Sequence, residues 1–342
     1  MKVNNHYVPK TYLKQWANKT KIFEYSLLVS HQEIPKWKES SISHTANINS
    51  LYIYYDGEDM SDEMEDFFSE EFEMKYNSFL ENLNPEKKFS EVERDYISKL
   101  IASQHLRTLK GFNRVQKFVV DTFPETIKEV CEELNQRWEI TKSIPKTEEH
   151  EQGKFMPVKT TIITDDCNDT MLKIETYAGK SYWLVAMKHL LQSTYKVLNN
   201  VSWCVYDAPK NYNWVTSDDP VIFLNYYGKN SYDFEGGWGN ENTNIIFPLT
   251  PKKILFGQIG MELKNHDIAT YEFADEIQKY IVENAYGKVY SIEKNVQIPK
   301  IRKRIVDQEL FYKFQQSLKN FHSEYLDNEL PYLKNSENEY GD

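Results

Sequence analysis

Apolar residues recur at helical spacing through much of the first half of the chain. One such stripe runs from Met64 to Leu83, and it ends just before Pro85, which cannot continue a helix. Ser90 and Glu93 then have the spacing of a capping box, which predicts the start of a second helix. Further helical stripes are predicted at residues 127–138, 183–198 and 271–286.

The second half of the chain carries short runs of β-branched and aromatic residues. Asn, Gly, Pro and Asp separate these runs, a pattern typical of antiparallel strands joined by hairpins. The predicted strands occupy residues 201–206, 214–216, 221–224, 244–249, 254–259 and 288–293, with isolated strands at 22–25, 51–55 and 160–164. We therefore predict an α+β fold, in which a mainly helical N-terminal half packs with a mostly antiparallel sheet from the C-terminal half.

A polar, Pro-containing connector at residues 140–166 interrupts these patterns and favours a boundary there. We predict an N-terminal segment, 1–150, with short strands and long helices. A second segment, 151–325, would hold a long helix, the antiparallel sheet and a closing helix, and the polar, acidic residues 326–342 would form a loosely ordered tail. With 342 residues, one composite domain remains the alternative.

The composition favours a folded protein and gives no indication of a membrane span, a disulfide framework or a zinc knuckle. Hydrophobic residues make up 40% of the chain, which favours a packed core over disorder. The three cysteines are widely spaced, so their pattern indicates neither a disulfide framework nor a zinc knuckle. No stretch approaches the ~20 apolar residues of a membrane span, and the N-terminus lacks the apolar part of a signal peptide. We expect a cytoplasmic protein that does not bind membranes.

The charge of the chain is unevenly distributed. Lys and Arg number 41 against 52 Asp and Glu, a net charge of -11, which repels polyanions except where local basic patches overcome it. Residues 1–22 carry five lysines and no acid, and residues 300–304 form a second basic cluster. A solvated surface is the ordinary explanation of such runs, and a nucleic acid or another phosphate-containing ligand is the alternative.

A search for general catalytic and cofactor motifs is negative. The segment Ala178-Gly179-Lys180-Ser181 is similar to the end of a phosphate-binding loop, but Ile174 stands where that motif requires its first glycine. The chain also lacks a dinucleotide fingerprint, a histidine pair at metal-ligand spacing and a nucleophile elbow. We therefore predict no cofactor and no metal site. The oligomeric state stays open.

Short motifs spread over most of the chain carry a family resemblance. They are His6-Tyr7-Val8-Pro9-Lys10 with Tyr12-Leu13, Asn49 with Leu51-Tyr52, Gln104 with Arg107, Ser217-Asp218-Asp219-Pro220-Val221, Pro248-Leu249-Thr250-Pro251, and Asn284 before Val289-Tyr290. In these residues and in their order, the chain resembles DUF4238, a bacterial family of unknown function. The resemblance extends from residue 4 to about residue 290. It implies no particular chemistry.

The first motif combines a histidine with a helix start. His6 precedes Pro9, which is well placed as the first residue of a short helix, and Lys10 follows at once. Unpaired N–H groups and the helix dipole favour an anion there, and they would also keep the histidine neutral. His6 is therefore a candidate general acid or base, and Lys10 a candidate phosphate ligand. A histidine that merely anchors the N-terminus is the alternative.

Polar residues also interrupt the apolar stripe of the second helix. Gln104 and Arg107 lie three residues apart, so both side chains reach one point, where an Arg fork can clamp a phosphate or carboxylate. The structural alternative is an arginine paired with a carboxylate of the chain, for which Asp218 or Asp219 is the natural partner. Asn284 lies within an apolar stripe as well, and a buried amide needs hydrogen-bond partners.

Two functions of different class fit these residues. The first is a metal-independent, nuclease-like toxin or anti-phage effector that cleaves phosphodiesters, with His6, Arg107 and Asp218 catalytic. Its substrate-binding residues would be Lys10, Gln104, Asp219 and Asn284. The alternative is a non-catalytic binding or regulatory protein, in which the same residues form a structural polar core. Metal-dependent hydrolysis through Asp218, Asp219 and His6 is a weaker third hypothesis.

Overall fold

The computed structural model describes residues 4–56, 59–84, 87–141, 157–164 and 170–333. The helices in these ranges are α1 (Lys10–Leu13), α2 (Glu63–Phe68), α3 (Met74–Asn82), α4 (Glu91–Leu106), α5 (Leu109–Thr141), α6 (Lys180–Gln192), α7 (Tyr271–Asn284), α8 (Ile298–Ile301) and α9 (Gln308–Leu333). A π-helical segment, Ser69–Glu73, joins α2 to α3, and 3₁₀ helices occupy Lys14–Trp16, Ile42–His44 and Thr194–Asn200. Each helix within the described ranges is too short or too polar to cross a membrane.

The strands form several sheets, most of them antiparallel. They are β1 (Asn4–His6), β2 (Lys21–Ser26), β3 (Leu28–Val29), β4 (Lys38–Ser41), β5 (Asn47–Asn49), β6 (Tyr54–Asp56), β7 (Asp59–Ser61), β8 (Val158–Thr164), β9 (Thr170–Thr176), β10 (Ser202–Asp207), β11 (Thr216–Ser217), β12 (Ile222–Gly228), β13 (Ser231–Asp233), β14 (Thr243–Thr250), β15 (Lys253–Gln258), β16 (His266–Ile268), β17 (Lys288–Ser291) and β18 (Ile305–Val306). The largest sheet has the order β13-β12-β14-β15-β10-β16, and a second has the order β11-β17-β2-β4. Two-stranded sheets pair β1 with β5, β3 with β18, β6 with β7 and β8 with β9.

The six-stranded sheet is buried on both faces. Along β14, Ile245 and Phe247 belong to one hydrophobic cluster, whereas Ile246 belongs to another. The first cluster also contains side chains of α1, α2, α3, α4 and α6, and the second contains those of α7. Burial of both faces explains why β14 is a continuous apolar run and not an alternating one.

The predicted separation of the fold into a helical half and a sheet half is wrong. β2 pairs with β4 on one side and with β17 on the other, so one sheet joins the two ends of the chain. Strands thus occur throughout the chain, and an α+β class holds only without that division. Hydrophobic periodicity reports local conformation, but it does not report which distant strand completes a sheet.

Several local predictions need a different boundary. The helix predicted from Met64 to Leu83 contains the π-helical segment, and the strand predicted at 51–55 is found at Tyr54–Asp56. The predicted strand at 160–164 lies within β8. Most of the connector at 140–166 and the cysteine at position 167 lie outside the described residues.

The C-terminal helix α9 packs on the N-terminal end of α6. The Glu329 carboxylate accepts hydrogen bonds from the Ser181 N–H at 2.9 Å and from the Ser181 hydroxyl at 2.6 Å. Phe321 and Tyr325 of α9 contact the ring of Phe112, with centroid distances of 5.2 and 5.0 Å. Residues 326–333 of the predicted tail lie in α9, and the rest of that tail lies outside the described residues.

Candidate functional site

Arg107 lies at the junction between α4 and α5, where it is the C-terminal cap of α4. Its side chain is fully buried, and the guanidinium packs 4.2 Å from the centroid of the Phe68 ring. Nη1 donates to Glu73 Oε1 at 3.1 Å, Nη2 donates to the His6 carbonyl at 2.5 Å, and Nε donates to the Tyr52 hydroxyl at 3.3 Å. The guanidinium fork therefore joins three separate segments of the chain.

His6 ends β1, and the carbonyl group, not the ring, makes its contact with Arg107. The ring is buried, and Nε2 lies 3.3 Å from the carbonyl oxygen of Ile42, so the Nε2–H group of a neutral imidazole donates a hydrogen bond to that oxygen. Burial lowers the pKa of His6 to about 4, and the positive charge of Lys10 adds to this effect. The imidazole is therefore uncharged at neutral pH.

Glu73 is the carboxylate that pairs with Arg107, and neither Asp218 nor Asp219 does so. It is the last residue of the π-helical segment, and its side chain is 21% exposed. The pairing of Glu73 with Arg107 is not predicted from the sequence, because the apolar stripe indicates an unbroken α-helix. A π-helical turn takes in one more residue than an α-helical turn, and this shifts the faces on either side of it.

Asp218 is buried in the turn after β11, where its carboxylate accepts hydrogen bonds from consecutive backbone N–H groups. Oδ1 accepts from Tyr286 at 2.9 Å, and Oδ2 accepts from Gly287 at 2.7 Å and from Lys288 at 3.0 Å. Burial raises the pKa of Asp218 to about 6, against the opposing effect of these N–H groups. The carboxylate fixes the chain between α7 and β17.

Asp219 and Asn284 form a separate polar cluster at the start of α5. Asp219 is fully buried, and its Oδ1 accepts from the Thr108 hydroxyl at 2.7 Å. Asn284 Nδ2 donates to Asp219 Oδ2 at 3.0 Å, and Lys110 Nζ donates to Asn284 Oδ1 at 2.6 Å. Arg114 approaches Asp219 Oδ2 at 3.5 Å. The two basic side chains are partly exposed, and they offset the buried charge of Asp219.

A small cleft lies beside the ion pair of Arg107 and Glu73. Its volume is about 10 Å³, and its lining residues are Pro9, Thr11, Tyr12, Phe72, Glu73, Tyr76, Leu100 and Gln104. Gln104 is fully buried, and among the described residues neither its amide oxygen nor its amide nitrogen has a hydrogen-bond partner. The same holds for the Thr11 hydroxyl.

The structure thus brings some of the predicted site residues together and separates others. His6 and Arg107 are in contact, and Gln104 lines the cleft next to Glu73. Asp218 is bonded to residues 286–288, and Lys10 is exposed at the start of α1. The described residues contain no group of three His, Cys, Asp or Glu side chains that could hold a metal ion.

Lys110 and Arg114 belong to the polar cluster around Asp219 but are not among the predicted site residues. A signal was present, because Arg107, Lys110 and Arg114 follow one another at helical spacing. In the structure, however, α4 ends at Leu106 and α5 begins at Leu109, so one helix does not carry all three side chains. Arg107 therefore points to Glu73 and His6, whereas Lys110 and Arg114 lie at Asp219.

Comparison with protein-family models identifies a family for most of the chain. Residues 4–295 match DUF4238, which is described as a protein of unknown function. Comparisons with curated proteins and with solved structures give no match. The matched residues include β1, the α4–α5 junction, the turn after β11 and the end of α7. All of the side chains described in this subsection lie within the match. The chain belongs to the DUF4238 family.

Proposed function

We propose that this chain is a non-catalytic binding or regulatory protein whose motif residues form a structural polar core. One observation carries the proposal: the groups that catalysis would need are already bonded to other parts of the chain. The His6 ring donates to a backbone carbonyl, the Arg107 fork joins three segments, and Asp218 accepts three backbone N–H groups. Buried polar groups that are satisfied in this way specify one packing of the chain.

A phosphate-containing ligand, nucleic acid included, remains the proposed partner. Lys10 and Lys14 are exposed on α1 and the 3₁₀ turn after it, in a stretch of the sequence that has no acid. Exposed lysines of this kind bind phosphate as point charges, and such binding weakens steeply as salt concentration rises. The double substitution of Lys10 and Lys14 by alanine should therefore weaken binding of a labelled RNA oligonucleotide and reduce its salt dependence.

A second candidate function is the nuclease-like toxin or anti-phage effector. Its support is the contact between Arg107 and the His6 carbonyl, together with a His6 imidazole that is uncharged at neutral pH. In this candidate His6 transfers the proton, while Arg107 and Lys10 stabilise the phosphate. The buried guanidinium and the low pKa of His6 make both groups poor catalysts, so we rank this function second.

A cleavage assay separates the two functions. Purified wild type, His6→Ala and His31→Ala would be incubated with RNA and with DNA, once with Mg²⁺ and once with a chelator. We expect no cleavage by any of the three proteins. Cleavage by wild type and by His31→Ala, but not by a folded His6→Ala protein, would overturn the binding proposal. His31 is the control because its side chain is 61% exposed.

A parallel test in cells uses induced expression of the same three proteins at matched levels. We expect equal growth and intact nucleic acids in all three cultures. Growth arrest with fragmented RNA or DNA in the wild-type and His31→Ala cultures alone would support the nuclease candidate.

A further inference from the structure

The Gln104 amide is buried without a hydrogen-bond partner among the described residues. The side chain is 0% exposed, and its Oε1 and Nε2 lack partners among the described residues, as does Oγ1 of Thr11. An unmet buried donor or acceptor costs about 1–3 kcal/mol, so native proteins rarely leave one without a partner or an ordered water.

The cleft that Gln104 and Thr11 line has room for one water-sized molecule. Its volume of about 10 Å³ is at the lower limit of the space that holds one water, and a buried water commonly makes two to four hydrogen bonds. Gln104 offers a donor and an acceptor, and the Thr11 hydroxyl can act as either. These groups lie on α4 and α1, so the occupant would connect the two helices.

The lining of the cleft favours a neutral occupant. Glu73 is the only charged residue in the lining, and its carboxylate is bonded to Arg107 at 3.1 Å. The other lining residues are apolar or aromatic, apart from the uncharged Gln104 and Thr11. An ion in such surroundings would lose its hydration without a free counter-charge.

We propose that the cleft binds one neutral, water-sized hydroxyl group between Gln104 and Thr11. This group is an ordered water or the hydroxyl end of a small ligand, which have the same hydrogen-bonding chemistry. The site is independent of the proposed function, because a water is held there whether or not the protein binds anything else.

A double-mutant cycle with Thr11→Val and Gln104→Met tests the shared occupant. Both substitutions keep the approximate shape of the side chain and remove its hydrogen bonds. We expect their effects on the unfolding equilibrium constant to differ from additivity by at least about 2-fold, because both remove partners of one group. Additive effects would contradict a shared occupant.

The matched control pairs Thr11→Val with Ser98→Ala. The Ser98 hydroxyl is also buried on α4 without a described partner, but Ser98 does not line the cleft. We expect this control pair to be additive. Equal coupling in both pairs would show that α4 relaxes as a whole, and it would overturn the proposal.

A crystal structure of the wild-type protein would show the occupant directly, without the use of variants. We expect a density peak at about 2.7–3.2 Å from both the Gln104 amide and Oγ1 of Thr11. A well-ordered cleft without this peak, or a Gln104 amide bonded to the protein instead, would overturn the site. A methanol soak separates an ordered water from a ligand hydroxyl. A methanol oxygen at the peak would support a site for the hydroxyl end of a ligand. Retention of water after the soak would exclude the ligand hydroxyl.

Discussion

His6 gives the folded protein a pH dependence that can be assigned to a single side chain. Its pKa is about 4 in the folded protein and 6.5 in the unfolded chain, so the unfolded chain binds more protons between these values. The contribution of His6 to the free energy of unfolding is therefore fully present above pH 6.5, and it is lost as pH falls towards 4. From pH 7 to pH 5 the loss from His6 should be about 2 kcal/mol.

The substitution His6→Gln isolates this contribution, because glutamine keeps an N–H donor for the Ile42 carbonyl but does not titrate. Urea unfolding at pH 7 and pH 5 should show a loss that is about 2 kcal/mol smaller in His6→Gln than in wild type. His31→Gln serves as the control, and it should lose as much stability as wild type. Identical losses in His6→Gln and wild type would contradict a buried, neutral imidazole.

The contribution of Arg107 to stability depends on the geometry of its guanidinium as well as on its charge. Lysine at this position keeps the charge but cannot bond to Glu73, His6 and Tyr52 together. We expect Arg107→Lys to lower the free energy of unfolding by about 2–4 kcal/mol. Arg137→Lys, in which the side chain is 58% exposed, should change it by less than about 0.5 kcal/mol. Chemical denaturation measures both, and similar effects would count against a structural role for Arg107.

At the scale of single elements, the capping box of α4 is both predicted and present. The Ser90 hydroxyl accepts from the Glu93 N–H at 3.3 Å, and the Glu93 carboxylate accepts from the Ser90 N–H at 2.7 Å. Ser90→Ala should therefore destabilise the protein by about 1 kcal/mol. Ser317→Ala, on the exposed surface of α9, is the control and should be within about 0.5 kcal/mol of wild type. Thermal or urea unfolding would decide whether the cap contributes.

Local signals in the sequence identify most elements, and their limits are physical. The apolar stripe from Met64 to Leu83 indicates a helix, but no 3.6-residue pattern indicates the π-helical segment Ser69–Glu73 within it. That segment sets the direction of Glu73, so the structural alternative of a carboxylate paired with Arg107 holds, but the partner is Glu73 and not Asp218 or Asp219. In the same way, β2 is predicted as a strand, but its pairing with β17 is not, because local patterns carry no information about distant partners.

We expect α9 to contribute to the stability of the whole molecule, although it lies beyond the matched family segment. A chain that ends at residue 307 loses the ring contacts of Phe321 with Phe112 and the bonds of Glu329 to Ser181. We expect this truncation to cost more than about 3 kcal/mol, the range for removal of one buried aromatic side chain. A chain that ends at Leu333 keeps these contacts and is the control. Urea unfolding and dye binding to exposed apolar surface would compare the two.

A sheet that joins both ends of the chain has a consequence for biosynthesis. β2 is made early, but its neighbour β17 is about 260 residues further along. At about 5–20 residues per second, a ribosome needs on the order of tens of seconds to make that stretch. During this time β2 has an open hydrogen-bonding edge, to which strands of other nascent chains can add. We therefore expect the yield of folded protein in cells to depend on chaperones that hold the emerging chain until its last strands are complete.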